Sequence, residues 1–104
     1  MTEAVGFLEV YGLTAAFVAA DAACKAANVR IDAFDHNKPA NADKLPVPLL
    51  VVVKVRGSIA DVRAAVEAGA QAANQVTGVV TTHVIARPET DTEKLLKINS
   101  LMKK

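Results

Sequence analysis

Residues 4–34 read AVGFLEVYGLTAAFVAADAACKAANVRIDAF, and they predict a strand, a helix and a second strand in that order. The apolar run over residues 4–10 stops at Tyr11-Gly12, and its length suits a strand better than a helix. From residue 13 to about residue 28, apolar residues recur every three or four positions, which is the period of an amphipathic helix. Apolar and polar residues then alternate over residues 29–34 and predict a half-buried strand.

Residues 49–76 predict a third strand and a second helix. Residues 49–56 alternate and are rich in β-branched valine, which is typical of a strand, and Gly57 ends it. Ser58, followed three residues later by Asp61, resembles a capping box at the start of a helix. A stripe of small and apolar residues follows at helical spacing and is expected to be buried: Val62, Ala65, Val66, Gly69 and Ala73.

The end of the chain predicts a fourth strand and a short final helix. Residues 79–87 alternate in character, and Pro88 ends this strand. Thr90 and Glu93 repeat the capping pattern. The apolar residues after them continue the helix to Met102.

The resulting order, β-α-β-β-α-β-α, predicts a mixed α/β (α+β) fold of the ferredoxin-like kind. Each β-α-β crossover is expected to be right-handed, so both long helices lie on the same face of one sheet. Strands two and three are joined by a loop over residues 35–48, which contains three prolines. The four strands therefore form an antiparallel sheet, with a short helix at the carboxyl end.

Composition indicates one folded domain over residues 1–104, because a chain of 10.9 kDa builds a single hydrophobic core. Hydrophobic residues make up 52% of the chain and mean hydropathy is +0.26, far from the composition of disordered proteins. Aromatic residues make up only 4%. Most of the apolar surface is therefore Ala and Val, which bury little area each, so we expect subunit contacts to contribute to stability.

The charge balance and the single cysteine exclude several classes of function. A net charge of +1 gives no field that would attract nucleic acid or an anionic membrane. One cysteine, Cys24, cannot form an internal disulfide or a Cys-based metal site, and this fits the cytoplasm. The longest apolar run, residues 46–53, is too short to span a bilayer, and the amino end has no export signal.

The histidines and the cysteine are the first candidates for catalysis, and no local motif activates them. His36 lies in the predicted loop and is interpreted as a solvated residue. His83 lies in the fourth strand and is interpreted as a partly buried structural histidine. Cys24 falls on the apolar stripe of the first helix with Leu13 and Phe17, so we expect it to pack in the core. The sequence thus predicts no enzyme, no cofactor and no metal site.

Two spaced patterns are specific when taken together: D-x-x-x-K-A-A-N-V over residues 21–29 and H-V-I-x-R-P over residues 83–88. With residues 4–16 and the V-R-G triplet at 55–57, they resemble the bacterial microcompartment shell proteins of the single-domain, hexamer-forming kind, which carry the BMC domain. The resemblance covers nearly the whole chain except the loop and the extreme carboxyl end.

The resemblance implies a homohexamer, a flat disc that tiles edge to edge with copies of itself and with other shell proteins around encapsulated enzymes in the bacterial cytoplasm. In such proteins the residues that match Lys25 and Arg87 contact neighbouring hexamers, and Asn28 matches a residue beside that lysine. We therefore expect these three residues at the edge between hexamers.

The resemblance also implies that the loop after strand two lines a pore on the six-fold axis. The family's segment is short and Gly-rich, of the Lys-x-Gly-Ser-Gly type, whereas residues 36–48 are longer and contain three prolines. We expect a narrowed or covered opening for small polar metabolites, or a structural tile whose pore opens when the loop moves. Lys38 and Lys44 are matched in number by Asp35 and Asp43, so we expect little selection by charge. The predicted pore residues are His36, Asn37, Lys38, Pro39, Ala40, Asn41, Ala42, Asp43 and Lys44.

Two other functions fit the same order of elements. A trimeric, nucleotide-binding signalling protein of the PII type also has a long loop between strands two and three, but this loop has no Gly-rich or clustered-Arg phosphate site. A small enzyme of the acylphosphatase kind needs an anion-binding turn with an Arg after strand one, and Tyr11-Gly12-Leu13 offers none. The particle's mass and its binding of ATP separate these alternatives from a shell protein.

Overall fold

The structure is a computed structural model, and it describes residues 3–37 and 49–97. The predicted order of elements is confirmed within these two ranges. The elements are β1 (Ala4–Tyr11), α1 (Leu13–Ala26), β2 (Arg30–Asn37), β3 (Leu50–Gly57), α2 (Ile59–Asn74), β4 (Val79–Ile85) and α3 (Thr90–Leu95). The helices in the described ranges are all too short or too polar to cross a membrane.

The four strands form one antiparallel sheet in the order β2-β3-β1-β4. α1 and α2 pack against each other and cover one face of this sheet. Each β-α-β unit crosses over one intervening strand, β3 for β1-α1-β2 and β1 for β3-α2-β4. The predicted ferredoxin-like fold is therefore confirmed, with β2 and β4 at the edges of the sheet that the described residues form.

The core between the sheet and the helices is built mainly from Ala and Val. α1 contributes five buried alanines: Ala15, Ala16, Ala19, Ala20 and Ala23. The central strands contribute Leu8, Val10, Val51, Val53 and Val55. A Cβ added at Gly69 of α2 would lie 3.0 Å from the backbone oxygen of Ala19, so the two helices are in close contact. This contact explains why small residues form the facing surfaces of both helices.

The buried face of α1 differs from the prediction. Cys24 is exposed, as are Leu13 (40% exposed) and Phe17 (59% exposed). The expectation that Cys24 packs in the core is therefore wrong. Because α1 meets its neighbours through alanines, larger side chains are left at the margin of the helix.

α2 agrees with the prediction at both its start and its buried face. The Ser58 hydroxyl accepts a hydrogen bond from the Asp61 N–H at 3.2 Å, which caps the helix. All the members of the predicted stripe are buried: Val62, Ala65, Val66, Gly69 and Ala73.

β2 continues three residues further than predicted. Its last residues pair with β3 in the register Asp35↔Val52, His36↔Val51 and Asn37↔Leu50. Pairing with β3 extends the strand through polar residues that show no apolar period, so the prediction of a loop from residue 35 is wrong for these three. The rest of the predicted loop, residues 38–48, lies outside the described residues.

β4 is shorter and more exposed than predicted, since it ends at Ile85 and residues 80–83 are exposed. Among the described strands it lies at an edge of the sheet, with β1 as its one hydrogen-bonded neighbour. The predicted partial burial of His83 is therefore wrong for the isolated chain.

α3 begins at Thr90, one residue earlier than a cap at Thr90 predicts, and it is not capped as predicted. Its N-cap is Glu89, whose side chain makes no capping hydrogen bond. Glu93, the expected capping residue, bonds to Arg56 instead. The predicted continuation to Met102 lies outside the described residues.

Candidate functional site

The chain runs back and forth between two ends of the sandwich. We call one of them the Lys25 end, where α1, β3 and β4 finish and where β2 and α2 begin. This end comprises residues 3–4, 25–30, 56–59 and 85–90. There Ala4 lies opposite Gly57 in the sheet. The opposite end, which we call the loop end, comprises residues 11–13, 37, 49–50 and 74–79. There Tyr11 lies opposite Leu50.

All three residues predicted to lie between hexamers are at the Lys25 end. Lys25 is in the last turn of α1, Asn28 is in the connection to β2, and Arg87 follows the end of β4. Each of them is exposed. The fold thus places residues from two distant parts of the sequence at the same end of the sandwich, beside β2 and β4, which lie at opposite edges of the described sheet. The length of the sheet separates them from the loop end.

Lys25 presents its charge to solvent. Its side chain is 76% exposed, and its Nζ lies 2.8 Å from Asp21 Oδ2, one turn earlier in α1. The hydrogen bond to Asp21 raises the pKa of Lys25. Exposed pairs of this kind contribute little to stability, so Lys25 can be replaced without loss of the fold.

Asn28 lies where the chain passes closest to the end of β3. A Cβ added at Gly57 would lie 3.1 Å from the Asn28 backbone oxygen and 3.1 Å from Val29 Cγ1. Glycine at position 57 therefore allows this close approach. The V-R-G triplet, residues 55–57, thus has a packing reason for its glycine.

Arg56 is the centre of a hydrogen-bond network at the Lys25 end. Its side chain is only 7% exposed, and it donates two hydrogen bonds of 2.8 Å to the Glu93 carboxylate. It also donates to the backbone oxygens of Glu3 (3.1 Å) and Ala4 (3.3 Å). The hydrogen bonds from Arg56 lower the pKa of Glu93. Nearby, Arg30 Nη1 lies 2.6 Å from a carboxylate oxygen of Glu3.

Sequence reasoning missed this network. In the sequence, Arg56 is an alternating residue of the third strand and part of the V-R-G triplet, and Glu93 is expected to cap the last helix. The two residues are 37 positions apart, so no local spacing relates them. The one available signal is an arginine in a strand that is otherwise almost wholly apolar, because a buried charge needs a partner.

At the loop end, hydrogen bonds join three segments around the start of α1. Gly12, with φ of 90°, allows the turn from β1 into the helix, and its N–H donates to the Leu49 oxygen at 2.8 Å. The Thr77 hydroxyl donates to the Tyr11 oxygen at 2.7 Å. The structure describes two of the predicted pore residues, His36 and Asn37. They are at the end of β2, which also lies at the loop end.

An apolar groove of about 530 Å³ lies between α1 and β2. Phe17 and Phe34 meet there edge to face, with ring centroids 5.0 Å apart. The other lining residues are Leu13, Ala20, Asp21, Cys24 and Ile31. Among residues 3–37 and 49–97, no three His, Cys, Asp or Glu side chains lie close enough to hold a metal ion.

Comparison with known proteins identifies the family. The model of the BMC domain matches residues 4–88. The chain is 46% identical over 94 residues to the bacterial microcompartment shell protein PduA of Citrobacter freundii, covering 90% of this chain and 91% of the relative. It is 39% identical over 100 residues to the carboxysome shell protein CcmK2 of Synechocystis sp., covering 94% and 88%.

A solved structure also shares the fold. A microcompartments protein from Desulfitobacterium hafniense superposes with a TM-score of 0.69 at 23% identity. The match covers 100% of this chain and 52% of that one, so this chain spans about half its length. The sequence patterns, the confirmed fold and the matches above agree, and the chain therefore belongs to the BMC domain family of bacterial microcompartment shell proteins.

Proposed function

We propose that this chain is a structural tile of a bacterial microcompartment shell, which closes into a homohexamer and joins neighbouring hexamers through its Lys25 end. The observation that carries the proposal is that Lys25, Asn28 and Arg87 are exposed together at the end opposite the loop. In a ring whose loop ends face the axis, the Lys25 ends face outward. One subunit then supplies both the centre and the edge of the disc.

The surface of the single chain supports association with copies of itself. Several large apolar side chains remain exposed, and the groove between α1 and β2 is lined mainly by apolar residues. β2 and β4 are the edge strands of the sheet within residues 3–37 and 49–97. When two different surfaces of identical copies meet head to tail, the copies form a closed ring if the rotations between neighbours add up to a full turn. The exposed apolar residues are Leu13, Phe17, Val18, Val76, Val80 and Leu95.

The proposed role is structural rather than enzymatic. The names of this chain's relatives describe them as shell proteins of microcompartments and carboxysomes. We propose that the chain associates with other shell proteins and encloses enzymes without catalysing a reaction itself. The family match favours this role over a PII-like signalling protein.

We also propose that residues 38–44, with His36 and Asn37 at the end of β2, border a pore on the ring axis. The position of the loop end opposite the Lys25 end supports this assignment. An experimental structure of the hexamer tests it. A loop around the axis with a narrow polar opening supports the proposal, whereas a loop folded away from a wide, strongly charged channel contradicts it.

The edge assignment is tested with Lys25→Ala and Arg87→Ala, each compared with Arg63→Ala, which removes an exposed positive charge from α2. We expect hexamers in all variants, and extended sheets only in the wild type and Arg63→Ala. Small contact energies repeated over a lattice are amplified by multivalency, so one lost contact is enough. Electron microscopy and light scattering provide the two measurements. Unchanged sheets in both edge variants contradict the assignment.

A further inference from the structure

The segment after β4 reaches the Lys25 end with little secondary structure to hold it. α3 has only six residues, and helices this short do not persist in water without tertiary contacts. Its Asp91–Lys94 ion pair is exposed, with side chains 83% and 74% accessible, and contributes little. A fixed position for this segment therefore needs an anchor elsewhere.

The Arg56–Glu93 pair has the geometry of such an anchor. The two parallel hydrogen bonds of 2.8 Å form the bidentate arrangement that fixes both distance and orientation. Arg56 is itself immobilised, because it is almost fully buried and also bonds to the Glu3 and Ala4 backbone oxygens. One rigid side chain of the sheet thus holds both ends of the described chain.

This anchor bears on Arg87 because of its position in the chain. Arg87 lies between the last residue of β4, Ile85, and the first residue of α3, Thr90. The sheet fixes one side of this connection and the anchor fixes the other. The direction of the Arg87 side chain then depends on both.

We propose that Arg56 and Glu93 are positioning residues that fix the segment from Arg87 to α3 and thereby orient Arg87 for contact with a second copy of this protein. The statement about Arg87 rests on the proposed function. The statement about α3 stands without it. Neither residue is itself a contact residue in this assignment.

Burial of apolar side chains is the competing anchor, since Leu96 is only 4% exposed and Pro88, next to Arg87, is also buried. If Leu96 alone holds α3, removal of the Glu93 charge leaves the helix in place. Glu93→Gln separates the two anchors, because it keeps the side-chain shape and removes the charge. Asp91→Asn is the matched control, because it removes an acidic charge from the same helix.

Hydrogen exchange tests the anchor in the full-length protein. Two amides report on α3: Glu93 N–H bonds to the Glu89 oxygen at 2.9 Å and Leu96 N–H to the Thr92 oxygen at 3.0 Å. We expect Glu93→Gln to speed their exchange at least tenfold, since hydrogen bonds to charged groups are among the strongest in proteins. The exchange rate of the Val62 amide in α2 stays unchanged in Glu93→Gln. The exchange rates of the two α3 amides stay unchanged in Asp91→Asn. Acceleration below twofold overturns the proposal.

Sheet formation tests the connection to Arg87, with Glu93→Gln, Arg87→Ala and the double variant compared by sedimentation. If Glu93 acts through Arg87, Glu93→Gln reduces sheet formation when it is introduced into the wild-type protein. The same substitution then causes no further reduction when it is introduced into Arg87→Ala. Equal effects in both backgrounds overturn the positioning of Arg87. Failure of the wild type to form any sheets instead contradicts the proposed function, and the exchange result then decides the role of the anchor alone.

Discussion

At Gly6, β1 lies so close to α2 that an added Cβ would be 2.5 Å from Val66 Cγ2 and 2.8 Å from Val62 Cγ1. Both neighbours are β-branched residues of the core and cannot turn aside easily. We predict that Gly6→Ala lowers the free energy of unfolding by about 1–3 kcal/mol through overpacking. Urea denaturation at fixed protein concentration measures the change.

Gly78→Ala is the control for Gly6→Ala. The added Cβ would lie 3.4 Å from Tyr11 Cδ2, which is ordinary contact. We expect a change within about 0.5 kcal/mol, as for substitutions away from tight packing. Equal losses in the two variants would show that the contact with Val62 and Val66 is not the cause.

Glu93 gives the pH dependence of the anchor. Hydrogen bonds from Arg56 lower its pKa from 4.5, and Lys97 and Arg30 act in the same direction. A carboxyl whose pKa is lowered by folding stabilises the folded state at pH values above its pKa in the unfolded chain. This stabilisation is lost as the pH falls through its pKa in the folded state. We predict that α3 stays anchored at neutral pH and is released only in acid below 4.5. A carboxyl NMR titration that gives a pKa at or above 4.5 for Glu93 contradicts this.

Among the helices, α2 has the cap that can be tested most simply. Ser58 Oγ accepts from the Asp61 N–H, whereas Glu89 at the start of α3 makes no side-chain capping bond. We predict that Ser58→Ala lowers the free energy of unfolding by about 1 kcal/mol and that Glu89→Ala changes it little. Urea denaturation of both variants checks this. If the loss at Glu89 is as large as the loss at Ser58, the hydroxyl is not acting as a cap.

The elements with strong local signals could be predicted from the sequence. α2 has both a cap and a helical stripe, and its start and buried face were predicted correctly. α1 has the same period, but its core face follows the small residues rather than the large ones. This could not be predicted because the approach of α1 to Gly69 depends on a contact distant in the sequence.

The end of β2 and the candidate site also differ in what could be predicted from the sequence. β2 extends to Asn37 only because β3 pairs with its polar end, and alternation of apolar residues carries no signal of that pairing. At the candidate site, Lys25, Asn28 and Arg87 could be named from linear patterns. The Arg56–Glu93 pair could not, because it joins a strand to a helix through side chains 37 positions apart.

The whole molecule combines a small-residue core with exposed apolar side chains. Alanine and valine bury little area each, and Phe17 remains 59% exposed in the single chain. Association with further copies would bury such residues and add to stability. In the proposed ring, the opposite placement of the loop end and the Lys25 end would give each copy one inward and one outward end.

The mass of the purified protein tests the central claim of a closed hexamer most directly. Multi-angle light scattering at micromolar concentration, in salt high enough to disperse sheets, gives this mass without a shape assumption. We predict a single species with six times the chain mass of 10.9 kDa. A stable monomer or trimer under these conditions would contradict the account.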